Sequence, residues 1–254
     1  MHLVQRIWDA LSFLTCIPAR RDQTAAACAE SFLFFAPAGL LIGCLLLALS
    51  LPLPVCCLEN EAGLAPLLFA WIWLVFECML TRALHWDGLA DVFDALGSGR
   101  TGDEFFAVLS DSRIGTFGVL GLLFVFSGQF LALQALFAKK EWLSLVLAPA
   151  WARAVPLVLA ARFSFRQDSR LGLFFARVVN QHPGAIPVHA TLLLLLPILQ
   201  SFLLSPLFLL LIPLQYGLIS LLVLCAKKQG GLSGDFLGAS IELSQLLFLF
   251  LAFL

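Results

Sequence analysis

Seven stretches of this chain, at about residues 32–54, 64–84, 114–137, 142–163, 187–204, 206–226 and 236–254, run for close to a helical span's length with almost no charge. Crossing a hydrocarbon core as a helix takes ~20 apolar residues. In lipid each backbone polar group must be bonded within the protein, and a helix does this alone. The runs predict an all-α polytopic membrane protein with about seven transmembrane helices. The fifth and sixth are parted only by Ser205-Pro206, a tight turn. Charged residues make up 12% of the 254, about half the share of a soluble domain. No internal repeat, low-complexity tail or soluble linker interrupts the pattern, so residues 1–254 read as a single integral membrane catalytic domain.

Residues 3–14 follow another rule. Leu3, Val4, Ile7, Trp8, Leu11 and Leu14 recur at helical spacing, with Arg6 and Asp9 on other faces. This predicts an N-terminal interfacial amphipathic helix on the bilayer surface rather than a cleavable signal. The seven cysteines show no C-x-x-C spacing and lie mostly in apolar runs, where a reduced thiol acts as a small hydrophobe.

Lys and Arg set the expected orientation. With the N-terminus cytoplasmic, that side holds Arg6, Arg20, Arg21, Arg82, Arg100, Arg113, Arg162, Arg166, Arg170, Arg177, Lys227 and Lys228. The opposite side holds only Lys139 and Lys140, and its first loop, "CCLENEAG" at 56–63, is acidic. Segments 81–113, 162–186 and 227–235 then emerge together on the cytoplasmic face and carry nearly all the polar chemistry. The formal net charge of −1 gives no reason to expect a nucleic acid partner.

The densest chemistry lies in "LHWDGLADVFDALGSG", 84–99. Asp87, Asp91 and Asp94 are spaced i, i+4, i+7, within an arc of roughly 60° on a helix. Like charges on one face repel by a few tenths of a kcal/mol per exposed pair, and more near lipid. A divalent cation removes that penalty. Carboxylate-only ligation suits Mg²⁺ or Mn²⁺, which keep waters and bridge to substrate phosphates. No second His or Cys is placed for zinc. His85 lies two residues before Asp87, roughly opposite on a continuous helix, and joins the site only if the chain bends there. As a cation it would bind phosphate; otherwise it would orient a carboxylate.

Other segments share the style. "GSGRTGDE", 97–104, reads first as a plain loop, with Arg100 and its backbone as the phosphate-binding alternative. "SDSRIGTFG", 110–118, sets Asp111 and Arg113 at the membrane edge before Gly115 and Gly118; helix capping accounts for one residue of it, not for the pair with two glycines. "KKQGGLSGDFLGASIE", 227–242, places Lys227, Lys228 and Ser233 before Asp235, with Glu242 on the same face. Gly234 and Gly238 there permit close helix packing. Acids inside a span are functional by default. Glu77 and Arg153 lie at matching depth, which suits a structural ion pair; Arg153 reaching a substrate phosphate is the other reading. The arginines at 162–177 satisfy the orientation rule and equally suit a polyanionic substrate.

Together these motifs resemble the cobalamin synthase family, the adenosylcobinamide-GDP ribazoletransferases. "LHWDGLADVFDALG" resembles its His-x-Asp-Gly-Leu-Ala-Asp-x-x-Asp motif, "DSRIGTFG" is similar at every position to a second, and "GGLSGDFLGA" is similar to Gly-Gly-x-Thr-Gly-Asp-x-x-Gly-Ala, with Ser233 in place of the usual Thr. "LSFLTCIPAR" is similar to the family's opening, so the likeness covers almost the whole chain in order. The resemblance implies a Mg²⁺-dependent enzyme of the bacterial inner membrane. Such an enzyme joins adenosylcobinamide-GDP to α-ribazole or α-ribazole 5′-phosphate and releases GMP. Asp87, Asp91 and Asp94 would hold Mg²⁺ on the pyrophosphate, with Asp235 completing or supporting that site. Asp94 or Asp111 would take the proton of the attacking hydroxyl, with His85 beside them, while Arg113, Arg100, Lys227, Lys228, Arg153 and Ser233 contact phosphates. The lipid bilayer is the expected surrounding, and a homo-oligomer or other cobalamin-assembly enzymes are possible partners. A membrane CDP-alcohol phosphotransferase is the alternative enzyme, and a cation- or proton-coupled transporter the alternative of another class. Glu77 and Glu242 keep the transporter open.

Overall fold

A computed structural model describes residues 3–19, 28, 30–51, 64–167 and 169–254. Arg20, Arg21, the acidic loop at 56–63 and Asp168 lie outside the described residues. The helices in chain order are α1 (Leu3–Leu14), α2 (Phe35–Ser50), α3 (Leu64–Thr81), α4 (Leu84–Gly97), α5 (Asp103–Leu109), α6 (Thr116–Lys139), α7 (Trp142–Ala160), α8 (Arg170–Gln181), α9 (Ala185–Leu203), α10 (Leu211–Gln229) and α11 (Gly234–Phe253). Short 3₁₀ turns at Ser31–Phe34 and Pro206–Leu210 lead into α2 and α10. Among the described residues, seven helices are long and apolar enough to cross a membrane: α2 with its leading turn, α3, α6, α7, α9, α10 with its turn, and α11.

Two of the seven form the centre. The spans of α7 and α11 are 83% and 72% buried inside the protein, while no other exceeds 44% and the rest of their surfaces is left for lipid. Helix α7 packs on α2, α9 and α11; helix α11 packs on α4, α6, α7 and α10. Helix α1 lies against α2 through Ala10, Leu11 and Leu14, leaving Leu3, Val4 and Trp8 exposed.

The apolar run at 64–84 does not make one helix. It breaks at Arg82 and Ala83, whose φ values of 54° and 52° fall in the left-handed region, costly for residues with a Cβ. The break is held from both sides. The Ala83 N–H donates to Cys78 O at 2.8 Å. Arg82 Nη2 donates to Thr15 O at 3.3 Å, just past the end of α1, and the Cys16 N–H donates to Leu80 O at 2.6 Å. Hydropathy cannot see this break, because the residues on either side are apolar. Its effect is to send α4 off the axis of α3.

The loops at one end of the bundle are stitched together. The Leu232 N–H donates to Ser164 O at 3.0 Å and the Arg166 N–H to Leu232 O at 3.1 Å. The Gly102 N–H donates to Gln229 Oε1 at 3.0 Å. Arg166 Nη1 reaches Asp103 Oδ1 at 3.0 Å, with its guanidinium 4.2 Å from the centre of the Phe106 ring. Helices α4 and α5, the N-termini of α6 and α11, and the C-termini of α7 and α10 therefore meet on one face.

A carboxylate seam at the membrane edge

Helices α4 and α11 cross at closest approach where Gly88 faces Asp235. A Cβ built on Gly88 would lie 3.0 Å from both Cα and O of Asp235, so tight that the facing backbone would have to give way. Gly238 faces the His85 backbone across the same crossing, where a Cβ would make an ordinary contact at 3.4 Å. This brings Asp87 and Asp91 of α4 beside Asp235, in the first turn of α11. Asp235 is held from its own side: Ser233 Oγ donates to its Oδ2 at 3.0 Å.

Asp91 registers the crowding. Partial burial first, then the charges of Asp87, Asp235 and Asp94, push its carboxyl up to about 7. Among the described residues no Lys or Arg forms an ion pair with this seam. The donor set is all carboxylate, which is the chemistry of a hard divalent cation. Among the described residues no group of three or more His, Cys, Asp or Glu side chains is drawn tightly enough to cage an ion. A cation of the Mg²⁺ kind is usually held through one or two carboxylates, with waters and substrate phosphates filling the rest. An open seam fits that pattern, and a closed cage would not.

Asp94 has a different neighbour from its two companions. Its Oδ2 accepts the Gly115 N–H at 2.6 Å and its Oδ1 accepts the Gly118 N–H at 2.7 Å. A carboxylate on the first turn of α6 satisfies orphan donors and meets the positive end of the helix dipole. A Cβ on Gly115 would stand 2.6 Å from the same carboxylate, and one on Gly118 would collide with it. The two glycines of "DSRIGTFG" thus receive Asp94 from α4, a function that lay 21 and 24 residues away in the chain. Asp94 is committed to joining α4 to α6, a poor setting for a proton acceptor.

Asp111 and Arg113 are taken up with each other. Arg113 Nε donates to Asp111 Oδ1 at 3.0 Å and Nη2 to Oδ2 at 2.7 Å. The guanidinium and the Arg113 backbone N–H hold the Asp111 carboxyl down to about 2, and Asp111 in turn raises Arg113. A carboxylate that weak in basicity suits charge placement, not proton abstraction. Arg100, Lys227 and Lys228 are exposed on the same face.

Arg153 and His85 are both buried, away from the exposed basic rim. Arg153 is fully buried: its Nη2 meets Glu77 Oε1 at 3.1 Å and its Nη1 donates to Gln245 Oε1 at 2.7 Å. It is the structural partner that matching depth suggested. His85 is 96% buried, and burial, then the charge of Arg153, pushes its pKa well below the ordinary histidine value. It is a neutral imidazole and not a cation for phosphate. It shares helix α4 with Asp87 and lines the same cavity as Asp87 and Asp235.

Sequence reasoning missed Gln129 and Gln245. Gln245 Nε2 donates to Glu77 Oε2 at 2.9 Å and lies 3.2 Å from Gln129 Oε1, while Gln129 Nε2 donates to Glu242 Oε2 at 3.0 Å. Both are uncharged polar residues in apolar spans, and scanning the spans for amides as well as charges finds them.

The profile of the family described as cobalamin-5-phosphate synthase matches residues 6–253. Among curated proteins, a relative from Nitratidesulfovibrio vulgaris (strain DP4) is 34% identical over 235 residues, covering 91% of this chain and 90% of its own length. One from Desulfitobacterium hafniense (strain Y51) is 33% identical, covering 100% and 98%. One from Klebsiella pneumoniae (strain 342) is 32% identical, covering 97% and 98%. All three carry the name adenosylcobinamide-GDP ribazoletransferase. No solved structure matches the chain.

Proposed function

The chain belongs to the cobalamin-5-phosphate synthase family, and from that premise we propose that it joins adenosylcobinamide-GDP to α-ribazole or its 5′-phosphate and releases GMP. The reaction forms one bond, from a ribazole hydroxyl oxygen to the phosphorus that carries the cobinamide. It breaks one, from that phosphorus to the GMP oxygen. The hydroxyl proton passes to a carboxylate. The observation that carries this reading is the seam of Asp87, Asp91 and Asp235 at one edge of the bundle, in which burial first and its acidic neighbours second raise Asp91 to about 7.

The residues divide the work. Asp87 and Asp235, on facing helices, would hold a divalent cation of the Mg²⁺ class. When bound, that cation supplies charge neutralisation on the pyrophosphate and on the departing GMP. Ser233 fixes the rotamer of Asp235. Asp91 lies among them, and among the described residues no backbone N–H or guanidinium donates to its oxygens; we assign it the hydroxyl proton. Asp94 and Asp111 are each tied to other donors. Arg113, Arg100, Lys227 and Lys228 present positive charge from the rim toward phosphates. The Lys and Arg balance supports a cytoplasmic location for this face, and with the family it supports the bacterial inner membrane.

The test uses detergent-purified protein with adenosylcobinamide-GDP, α-ribazole and Mg²⁺, following GMP. The reading expects GMP from the wild type. In Asp91→Asn it expects a fall of about 100-fold or more, the scale of a lost general base. Full activity of Asp91→Asn would overturn the assignment.

A further inference from the structure

A small cavity of about 140 Å³ opens where α4 and α11 cross. Asp87 and Asp235 line one end, and Phe13, Phe35, Phe175 and His85 are among the residues lining the rest. We propose that this cavity seats the flat aromatic base of the acceptor nucleoside, holding its ribose at Asp87 and Asp235. The proposal rests on the function proposed above and names the place of its second substrate.

Four observations carry it. The first is position: whatever fills the cavity touches the two carboxylates assigned to the pyrophosphate. The second is size. An apolar cavity of about 150 Å³ accepts a benzene-sized ring, so a space of 140 Å³ takes one aromatic ring, and a fused second ring and the ribose would extend through its open side.

The third is the wall. Phe13 comes from α1, Phe35 from α2 and Phe175 from α8. The Phe13 and Phe35 rings stack at 5.5 Å between centroids, and Phe13 meets Phe175 edge-on at 5.8 Å. Rings packed in this way offer faces and edges to a further ring. Helix α8 is strongly amphipathic and stands outside the core of spans, yet it buries Phe175 here, where a fourth ring, Phe32, stacks on it at 4.1 Å.

The fourth is His85. Its Nε2 is buried and has no hydrogen-bond partner. A buried polar atom left alone is unfavourable and calls for an occupant that satisfies it. An imidazole nitrogen matched with one ring nitrogen of a ligand base does so. The same count selects between the two nucleosides of the reaction. Guanine carries several donors and acceptors that this mostly apolar wall would strand. A benzimidazole-type base, such as that of α-ribazole, carries one free ring nitrogen and is otherwise apolar.

The test measures KM for each substrate separately in full-length protein in detergent. Phe13→Trp narrows the cavity and His85→Phe removes the ring nitrogen. Both are expected to raise KM for α-ribazole by about tenfold, the scale of one aromatic contact or one hydrogen bond. KM for adenosylcobinamide-GDP should stay within twofold. Free dimethylbenzimidazole should compete with α-ribazole in the wild type and not with adenosylcobinamide-GDP, a result that needs no variant to fold. A rise in the donor's KM instead, or competition by the free base against the donor, would make this the guanine site and overturn the proposal. An unchanged acceptor KM in both variants, with no competition by the free base, would also overturn it while leaving the GMP-releasing reaction standing. Absence of GMP from the wild type would be the failure of the function itself.

Discussion

The chain gathers acids in two places, and the two are built on opposite principles. At one edge of the bundle, Asp87, Asp91 and Asp235 lie together with no ion-pair partner among the described residues, and Asp91 is pushed up to about 7. In the middle of the bundle, Glu77 accepts from Arg153 and twice from Gln245, and Glu242 accepts from Gln129. Glu77 and Arg153 have no solvent exposure and Glu242 has 1%. The inner network ties together α3, α6, α7 and α11, the helices that support α4 from below. The lesson is that an intramembrane carboxylate is not by itself a sign of turnover or transport. What separates the two regions is whether the protein supplies its own countercharge. The inner acids are answered by an arginine and two amides, which removes the feature that favoured a transporter. The outer acids have no ion-pair partner among the described residues, and on the proposed function a cation and a phosphate would supply the countercharge.

The comparison breaks most visibly at Arg153. Replacing it with Met leaves Glu77 buried and uncompensated, at a cost of about 3–5 kcal/mol. Thermal unfolding in detergent should show a large drop, with activity lost only as folded protein is lost. The edge should answer the other way. In Asp91→Asn a repelling charge is removed, so the unfolding temperature should hold or rise while GMP release collapses. If Asp91→Asn instead unfolds the protein, the two regions are not different in kind.

Asp94 stands between the two cases, an edge acid that the protein has answered. Asp94→Ala strips the cap from α6, at about 1–2 kcal/mol for a well-made N-cap. It should lower both unfolding temperature and activity, and the conservative Asp94→Asn should recover part of each. Gly88→Ala puts a Cβ 3.0 Å from Asp235 and moves α4 away from α11. We expect a tenfold-scale loss of activity (about 1.4 kcal/mol) with a smaller effect on unfolding. The mildest effect is that of the metal on stability. Mg²⁺ at its dissociation constant should stabilise the wild type by only about 0.4 kcal/mol, and Asp87→Asn should reduce that shift.

Much of this was legible in the sequence, for physical reasons. The seven spans are a direct consequence of hydrocarbon thickness. The Glu77–Arg153 pair follows from equal depth in two spans, and the Gly88–Gly238 crossing partly from the small residues of "GGLSGDFLGA". What remained hidden depends on contacts between distant segments. Helical spacing put Asp94 in line with Asp87 and Asp91, and nothing local says that its oxygens are taken by Gly115 and Gly118. The break at Arg82–Ala83 sits inside an apolar run, where hydropathy hides it, and His85, off the aspartate face of α4, borders Asp235 because α11 crosses there. The phenylalanines at 13, 35 and 175 are each ordinary in their own helices and become a wall only when three helices meet.

The most direct measurement of the central claim is the electron paramagnetic resonance of Mn²⁺, used as a Mg²⁺ mimic, titrated into detergent-purified protein with adenosylcobinamide-GDP present. The wild type and Glu242→Gln should immobilise the ion with similar affinity, because the inner acids are answered by the protein itself. Asp87→Asn and Asp235→Asn should each weaken binding by tenfold or more (about 1.4 kcal/mol) without lowering the unfolding temperature. Equal Mn²⁺ binding by all four proteins, or a loss confined to Glu242→Gln, would contradict the account.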